Sequence, residues 1–426
     1  MLVKFTVGNY LSFKEQVSLD LEAQSIKEFK ENNTFTTPIE NVELLKSVAI
    51  FGGNSSGKSN LFKAMAFAKK FIQNSSKNSQ AEEKIDVESF RLSRANLNQP
   101  SHFEFVLIHN DQLYRYGFEV DLKSVQSEWL YIKRKTSENL LFQRTGQEIK
   151  IGNNYEKGSK KIVDITRDNA LFLSVNAQFN IHLAAELIKE IGRLKFISGV
   201  DDQPTIDFTV ELLKDPEINP IINNFLKGAR LGFNEVKTEN LELTPEILKK
   251  SGVPKEMHKL FLDSRKAQTI ISTKHIVYDD NNNAVDSTYF DLYRNESLGT
   301  RKMFSLTGPI VDALMSGKTL IIDEFDSRLH PVLAKAIIKL FNSNQNVQNA
   351  QLLIASHNSS FINSSAKLFR RDQIIIVDKN LYGASNIETI HEKKIRKDAS
   401  FEKDYLSGKY DGVPIDLELS GQLNLF

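Results

Sequence analysis

The sequence predicts an α/β fold with a β-rich lobe, a mostly parallel sheet flanked by helices, and a helical insertion. Three observations predict it. Ser47-Val48-Ala49-Ile50-Phe51 is an apolar run entering a glycine-rich turn, and Asn60 to Ala68 leaves that turn with helical periodicity. Thr319-Leu320-Ile321-Ile322 and Leu352-Leu353-Ile354-Ala355 are further apolar runs, each ending at polar residues. Such uninterrupted apolar strands, alternating with helices, suit a parallel sheet covered on both faces. The third observation is the set His102–Ile108, Leu113–Val120 and Trp129–Lys133, which reads as an antiparallel meander with a hairpin turn at Asn110-Asp111.

The remaining elements follow along the chain. Met1 to Val7 alternates like a strand, with a turn at Gly8-Asn9 and a second strand over Val17–Leu21. Gln73 to Gln80 is a polar loop. From about Asn169 to Lys266 the pattern turns helical: Ile181–Ile191, Val210–Lys214 and Ile221–Leu226 carry apolar residues at helical spacing, punctuated by Asp215-Pro216 and Asn219-Pro220. A second hairpin follows, with Thr273–Tyr278 and Ser287–Leu292 joined through Asp279–Asn283. The expected division is 1–165 for a first lobe, 166–290 for a helical and hairpin insertion, and 291–426 for a second lobe.

Bulk composition narrows the function classes. The 426 residues are ordinary for a soluble globular protein, with 40% hydrophobic and 26% charged residues. A net charge of +1 argues against bulk electrostatic attraction to nucleic acid or an anionic membrane, leaving only a local patch. Cysteine is absent, which excludes disulfides, thiol catalysis and cysteine-ligated zinc, and suits a cytoplasmic protein. There is no signal-peptide core, and no apolar run approaches membrane-spanning length.

The chemistry concentrates in two stretches. Gly52-Gly53-Asn54-Ser55-Ser56-Gly57-Lys58-Ser59 fits G-x-x-x-x-G-K-[ST], the phosphate-binding P-loop, or Walker A. Gly52 and Gly57 reach backbone angles closed to other residues, so successive N–H groups from Asn54 to Asn60 can turn toward one phosphate. Lys58 would reach the outer phosphates as a point charge, and the Ser59 hydroxyl would ligate Mg2+. Asp323-Glu324, closing an apolar strand, has the shape of a Walker B segment. Asp323 would sit beside Mg2+, and Glu324 would polarise the attacking water as general base. A nucleotide polyphosphate and Mg2+ are therefore the expected ligands, and the resemblance described below makes that nucleotide ATP.

Other features read as structural. Tyr114, Tyr116 and Phe118 fit core packing better than a base-stacking platform. The basic runs Lys393–Lys397 and Lys133–Lys135 fit a solvated surface better than a phosphate track. His102, His109, His182 and His258 show no metal-ligand spacing.

Four motifs in order carry a wider resemblance: the P-loop, Ser297-Leu298-Gly299-Thr300, Asp323-Glu324, and a strand ending at His357. This series resembles the ATPase heads of the ABC class, and within it the AAA15-type ATP-binding proteins, relatives of OLD-family ATPase domains and of SMC and RecF heads. Val7-Gly8-Asn9-Tyr10-Leu11-Ser12-Phe13-Lys14 is similar to that family's opening motif. Asp404 to Pro414 is similar to its closing motif. The resemblance implies that Ser297, Gly299 and Thr300 form a signature loop contacting ATP bound to another subunit. It implies that Asp326 belongs to a D-loop and that His357 is the switch histidine at the γ-phosphate. Such heads also carry a Q-loop glutamine and an adenine contact. Gln99 is one candidate for the first, and Asn9, Tyr10 and Phe13 are candidates for the second.

The implied protein is an ATPase of P-loop NTPase fold and ABC-ATPase-head type that forms a homodimer, or a larger homo-oligomer, around sandwiched ATP. The implied role is in bacterial anti-phage defence of the abortive-infection kind, where such an ATPase senses infection and controls a separately encoded effector, often a nuclease. The alternative is a DNA-repair or DNA-maintenance ATPase of RecF or SMC type, with nucleic acid as a partner. A third reading is a nucleotide-gated scaffold with negligible turnover. No membrane association is expected.

Overall fold

The computed structural model describes residues 1–77, 83–134, 137–241, 254, 268–396 and 399–410. The chain opens with β1 (Leu2–Gly8), β2 (Val17–Asp20), a single helical turn α1 (Lys30–Asn33) and the short pair β3 (Thr34–Thr36) and β4 (Glu43–Leu45). Then come β5 (Ser47–Phe51), α2 (Lys58–Asn74), β6 (Ser101–His109), β7 (Gln112–Val120), β8 (Val125–Arg134), β9 (Ser137–Thr145) and β10 (Glu148–Ile151). Helices α3 (Phe172–Gln178) and α4 (His182–Gly192) precede β11 (Leu194–Ser198), α5 (Gln203–Leu213) and α6 (Asn219–Gly228). The second half holds β12 (Glu235–Leu241), β13 (Gln268–Tyr278), β14 (Ala284–Asp291), α7 (Leu298–Ser316), β15 (Thr319–Asp323), α8 (Pro331–Phe341) and β16 (Gln351–Ala355), then β17 (Ile374–Lys379), β18 (Ser385–Thr389) and α9 (Phe401–Leu406).

Two compact units result. The first comprises residues Met1–Gly199, Ala313–Ser327 and Ala334–Phe426. The second comprises Val200–Asp312 with Arg328–Leu333, where the sequence places an insertion over 166–290. The stretch read as helical from Asn169 contains a strand, β11, that pairs in parallel with β15.

The first unit is built on two sheets. Seven antiparallel strands run in the order β10-β9-β8-β7-β6-β1-β2. The predicted meander is its centre, and left-handed Asn110 and Asp111 (φ 45° and 57°) make the β6–β7 turn. The other sheet runs β11-β15-β16-β5-β17-β18, parallel except for β18. Every residue of β5 and β16 is buried, as expected of parallel strands covered on both faces. Helix α2 turns Leu61, Ala64, Met65, Ala68 and Ile72 inward, and one core runs from the α2 face to the antiparallel sheet. Tyr10, Phe67, Phe103 and Phe118 pack ring to ring there, with centroids 5.1–5.4 Å apart along the chain of contacts. Tyr10, Phe103 and Phe118 are buried and Phe67 is half-buried; a fully buried ring contributes about 1.5–3 kcal/mol by leaving water.

Glu128 and Arg144 are both buried in that lobe with their partners. Glu128 accepts from the Tyr116 hydroxyl (2.9 Å) and from the backbone N–H groups of Phe172 and Leu173 (2.6 and 2.9 Å), which open α3. Arg144, wholly buried, donates to carbonyls of Gly146 and Ala170. Burial pushes the Glu128 carboxyl up, with Arg144 as the main opposing influence. Tyr114, Tyr116 and Phe118 are all buried, as the sequence predicts.

The second unit packs β12-β13-β14 with α5, α6 and the first turns of α7. Ile206, Leu213, Ile222, Leu226, Val236, Ile271 and Phe304 form its core. Pro309 sits inside α7 and cannot donate to the Ser305 carbonyl. The Thr209 hydroxyl of α5 lies 3.3 Å from that carbonyl and accepts from Gly308 N–H at 3.1 Å.

Candidate functional site

The P-loop is a turn whose closure is written in its glycines. Gly57 has φ 117°, and the Cβ of any other residue there would lie 2.3 Å from Ser385 Oγ and 2.8 Å from Ser12 Oγ. A Cβ at Gly52 would meet the Val377 carbonyl at 2.3 Å. Ser55 takes φ 63°, a left-handed value that turns the chain toward α2. The first N–H groups of α2, at Lys58, Ser59 and Asn60, have no partners within the helix and face the cleft they line.

Lys58 closes the loop. Its Nζ donates to the carbonyls of Gly52 (2.8 Å) and Gly53 (2.9 Å), which leaves one of its three donors for an anion. The side chain is buried. Desolvation lowers its pKa, and Asp323, Glu324 and Asp326 push the other way. Ser56 is buried too, and its Oγ has no hydrogen-bond partner among the described residues.

Asp323 ends β15, beside β16, and Glu324 opens the turn that follows. Glu324 is exposed and takes a left-handed φ of 48°. Its N–H donates to Asp323 Oδ1 at 3.1 Å. Phe325 N–H donates to the Ala355 carbonyl at 3.0 Å, so the turn after Glu324 is fastened to the end of β16, where His357 follows. His357 is exposed at the cleft, and its pKa is lowered, first by desolvation and then by the Lys58 charge. At neutral pH its imidazole is uncharged and has one N–H to give. Asp326 is half-buried, and its Oδ1 lacks a partner among the described residues.

These residues share one cleft of about 380 Å³. Asn54, Ser55, Ser56, Gly57, Lys58, Ser59, Asn60, Asp323, Glu324 and His357 all line it. A buried hydroxyl without a partner, an ammonium with a spare donor and a helix N-terminus fit a polyphosphate. Ser59 and Asp323 fit Mg2+, which takes few protein ligands and keeps water and phosphate oxygens for the rest. Among the described residues, no group of three or more His, Asp or Glu is placed to cage a metal.

Three contributors escape the sequence reading. Lys379, at the end of β17, lines the cleft and adds positive charge. Ser12 accepts from Asn60 Nδ2 at 2.9 Å, and Ser385 Oγ donates to the Ser56 carbonyl at 2.5 Å. Ser12 lies inside the opening motif, so its signal was present. Nothing in the local sequence marks Ser385.

The adenine and Q-loop candidates fall elsewhere. Asn9 is buried, donates from Nδ2 to the Asn96 and Gln99 carbonyls (2.9 and 2.8 Å), and accepts from Phe90 N–H. Tyr10 and Phe13 belong to the core. Gln99 is exposed in a separate hollow with Val87, Leu97 and Lys123. Asn9, Tyr10 and Phe13 are corrected to structural positions, because this turn must satisfy its own buried backbone and side-chain groups.

Ser297, Gly299 and Thr300 belong to the second unit. There the Ser297 Oγ accepts from Thr300 N–H at 3.1 Å, the N-cap bond of α7. Ser297 is exposed, Gly299 half-buried and Thr300 buried. In the basic run Lys394 and Arg396 are exposed, whereas Lys393 is half-buried and pairs with Glu388. Lys135, His258, Lys397 and Asp411–Pro414 lie outside the described residues. Among the described residues, no helix is long and apolar enough to cross a membrane.

Residues 47–363 match the family described as "AAA domain, putative AbiEii toxin, Type IV TA system", a span well over half of the chain. No curated protein matches it. Among solved structures it is similar to the SMC head domain from Thermotoga maritima, with 16% identity, 91% of this chain and 98% of that one covered, and TM-score 0.41. It is similar to SmcHead bound to the C-winged helix domain of ScpA (12% identity, 94% and 99% covered, TM-score 0.47). It is also similar to the Smc head domain with an extended coiled coil bound to the C-terminal domain of ScpA derived from Pyrococcus furiosus (13% identity, 96% and 98% covered, TM-score 0.42).

Proposed function

We propose a function from the premise that the chain belongs to the AAA-domain family described as "putative AbiEii toxin, Type IV TA system": it binds ATP with Mg2+, hydrolyses it, and uses the nucleotide to join two copies of itself. The observation that carries this is the meeting of Lys58, Asp323, Glu324 and His357, from three separate segments, in one cleft.

Each residue has a stated task. The P-loop N–H groups, the Ser56 hydroxyl and Lys58 hold the phosphates. Ser59 and Asp323 hold Mg2+, which supplies positive charge to the β- and γ-phosphate oxygens. Glu324 accepts the proton of the attacking water. His357, neutral, donates a hydrogen bond to the γ-phosphate. Ser297, Gly299 and Thr300 of one copy complete the phosphate contacts in its twin, with Asp326 beside the joint. Loss of the γ-phosphate then removes a contact shared by two chains, and the pair loosens.

The family description favours a defence role of the abortive-infection kind, in which this ATPase is the sensor or regulator of a separately encoded effector. The second unit supplies the surface for trigger or effector. A DNA-maintenance role is the competing outcome, recognised by ATP-dependent, salt-sensitive DNA binding.

The test compares wild type, Glu324→Gln and Ser297→Arg for ATP turnover and, by light scattering, for mass with ATP and Mg2+. Glu324→Gln should bind ATP, accumulate as the dimer and lose turnover by about 100-fold or more. Ser297→Arg should bind ATP as a monomer. A Glu324→Gln protein with full turnover removes Glu324 as base, and a dimeric, active Ser297→Arg protein removes the shared site.

A further inference from the structure

The loop carrying Ser297 is tied to the second unit's sheet through one carboxylate. Glu296, immediately before Ser297, has a side chain only 8% exposed. Its Oε1 accepts from Thr273 Oγ1 at 2.6 Å and pairs with His275 Nε2 at 2.8 Å. Both partners are on β13, the central strand of β12-β13-β14. His275 is wedged between aromatic rings, with Phe290 at 4.4 Å and Phe233 at 6.1 Å between centroids. The Glu296 carbonyl meanwhile accepts from Arg301 Nε and a second guanidinium nitrogen (3.2 and 3.1 Å), in the first turn of α7. Glu296 therefore joins β13 to the start of α7, with Ser297 in the link between them.

The bonds are costly for a fold that needs only a helix cap. Ser297 caps α7 by itself, through Thr300 N–H. A carboxylate withdrawn from water and held by two side chains fixes the direction from which the chain enters that cap.

We propose that Glu296 is a positioning residue: through His275 and Thr273 it sets the Ser297 loop in the orientation that a second copy's nucleotide requires. Pairing of two copies is then conditional on the bonds that hold Glu296 to the β12-β13-β14 sheet. This rests on the proposed shared site. Lys58, Ser59 and Asp323 belong to the first unit, so single-chain nucleotide binding does not depend on the latch.

The experiment uses the full chain with Mg2+ and a non-hydrolysable ATP analogue. Binding of a fluorescent form of that analogue and mass by light scattering are measured for wild type, His275→Ala, Thr273→Val, His275→Gln and Ser297→Arg. Thr273→Val is nearly isosteric and guards against a misfolded His275→Ala. At a protein concentration low enough that wild type stays monomeric, nucleotide affinity should stay within about twofold for His275→Ala, Thr273→Val and His275→Gln, while at higher concentration His275→Ala and Thr273→Val weaken dimerisation by about tenfold or more. His275→Gln, which keeps an N–H donor, should recover most of the dimer. The proposal is overturned if His275→Ala and Thr273→Val pair like wild type while Ser297→Arg does not. It is equally overturned if both lose nucleotide affinity under the monomeric conditions, where pairing cannot contribute, since they then act through the fold. Wild-type pairing by Ser297→Arg instead sinks the shared site, and the latch with it.

Discussion

Tyr405 meets Phe51 edge-on, with ring centroids 6.1 Å apart and planes at 67°, and its phenol faces the backbone N–H of Gly52. A short C-terminal helix thus braces the strand and first glycine of the P-loop. The same helix also holds the segment that follows His357, since Glu402 accepts from Ser359 Oγ (3.0 Å) and Asn363 Nδ2 (2.6 Å). Tyr405→Ala should cost about 3 kcal/mol of stability, as expected for emptying a buried aromatic site, and should weaken ATP binding. Tyr405→Phe keeps the ring and should be mild in both. Chemical denaturation and nucleotide titration check the pair; equal effects from the two variants would refute the bracing.

Gly199 has no room for a side chain. A Cβ there would lie 2.1 Å from the Glu324 carbonyl oxygen and 2.4 Å from that of Asp323, both backbone atoms that cannot swing aside. Gly199→Ala should therefore displace the two carboxylates at a cost of roughly 1–3 kcal/mol. Turnover should fall while nucleotide affinity, set mainly by the P-loop, changes little. Steady-state kinetics beside equilibrium binding separates the two, and unchanged kcat contradicts the prediction.

His357 should titrate below the ordinary histidine value of 6.5, because burial and the Lys58 charge both disfavour the imidazolium. The imidazole gains its proton only as pH falls through that depressed value, so it stays neutral throughout the physiological range. Lys58→Met removes one of the two lowering influences and leaves the carboxylates that raise the pKa. It should move His357 upward, observable as a shift of the imidazole proton resonances in an NMR pH titration. A downward or absent shift contradicts the assignment.

Lys379 adds charge to the cleft from a strand with no recognised motif. Lys379→Ala should weaken ATP binding by about tenfold or less, since a partly solvated charge is screened, whereas Lys58→Ala should weaken it far more. The loss at Lys379 should shrink further at high salt. Isothermal titration at two ionic strengths tests this, and a salt-independent effect would point away from electrostatics.

The phosphate site was legible because its chemistry needs contiguous residues. An apolar strand, a glycine turn and a helix start specify one another within Ser47 to Ala68, and the structure places them so. Asp323-Glu324 and His357 were legible for a related reason, each closing a buried strand. What escaped depends on partners distant in the chain. β11 reads Leu194-Lys195-Phe196-Ile197-Ser198 and mixes buried with half-buried positions, so nothing local separates it from the helix before it. The polar strand β9 alternates too weakly to announce itself, with only Leu141, Phe142 and Arg144 buried. Asn9, Tyr10 and Phe13 enter as adenine contacts only through the resemblance, in which the first strand edges the nucleotide site. Only the bonds from Asn9 to Asn96 and Gln99 decide for packing.

The order of the parallel sheet has a consequence for biosynthesis. β5, which carries the P-loop, is hydrogen-bonded on one side to β16 and on the other to β17. Both neighbours are translated some three hundred residues after it. At about 5–20 residues per second, the ribosome leaves that apolar strand unpaired for on the order of tens of seconds. Nascent chains released early would expose it and aggregate readily, so chaperone capture during synthesis, rather than the stability of the finished protein, should set how much folded protein a cell accumulates.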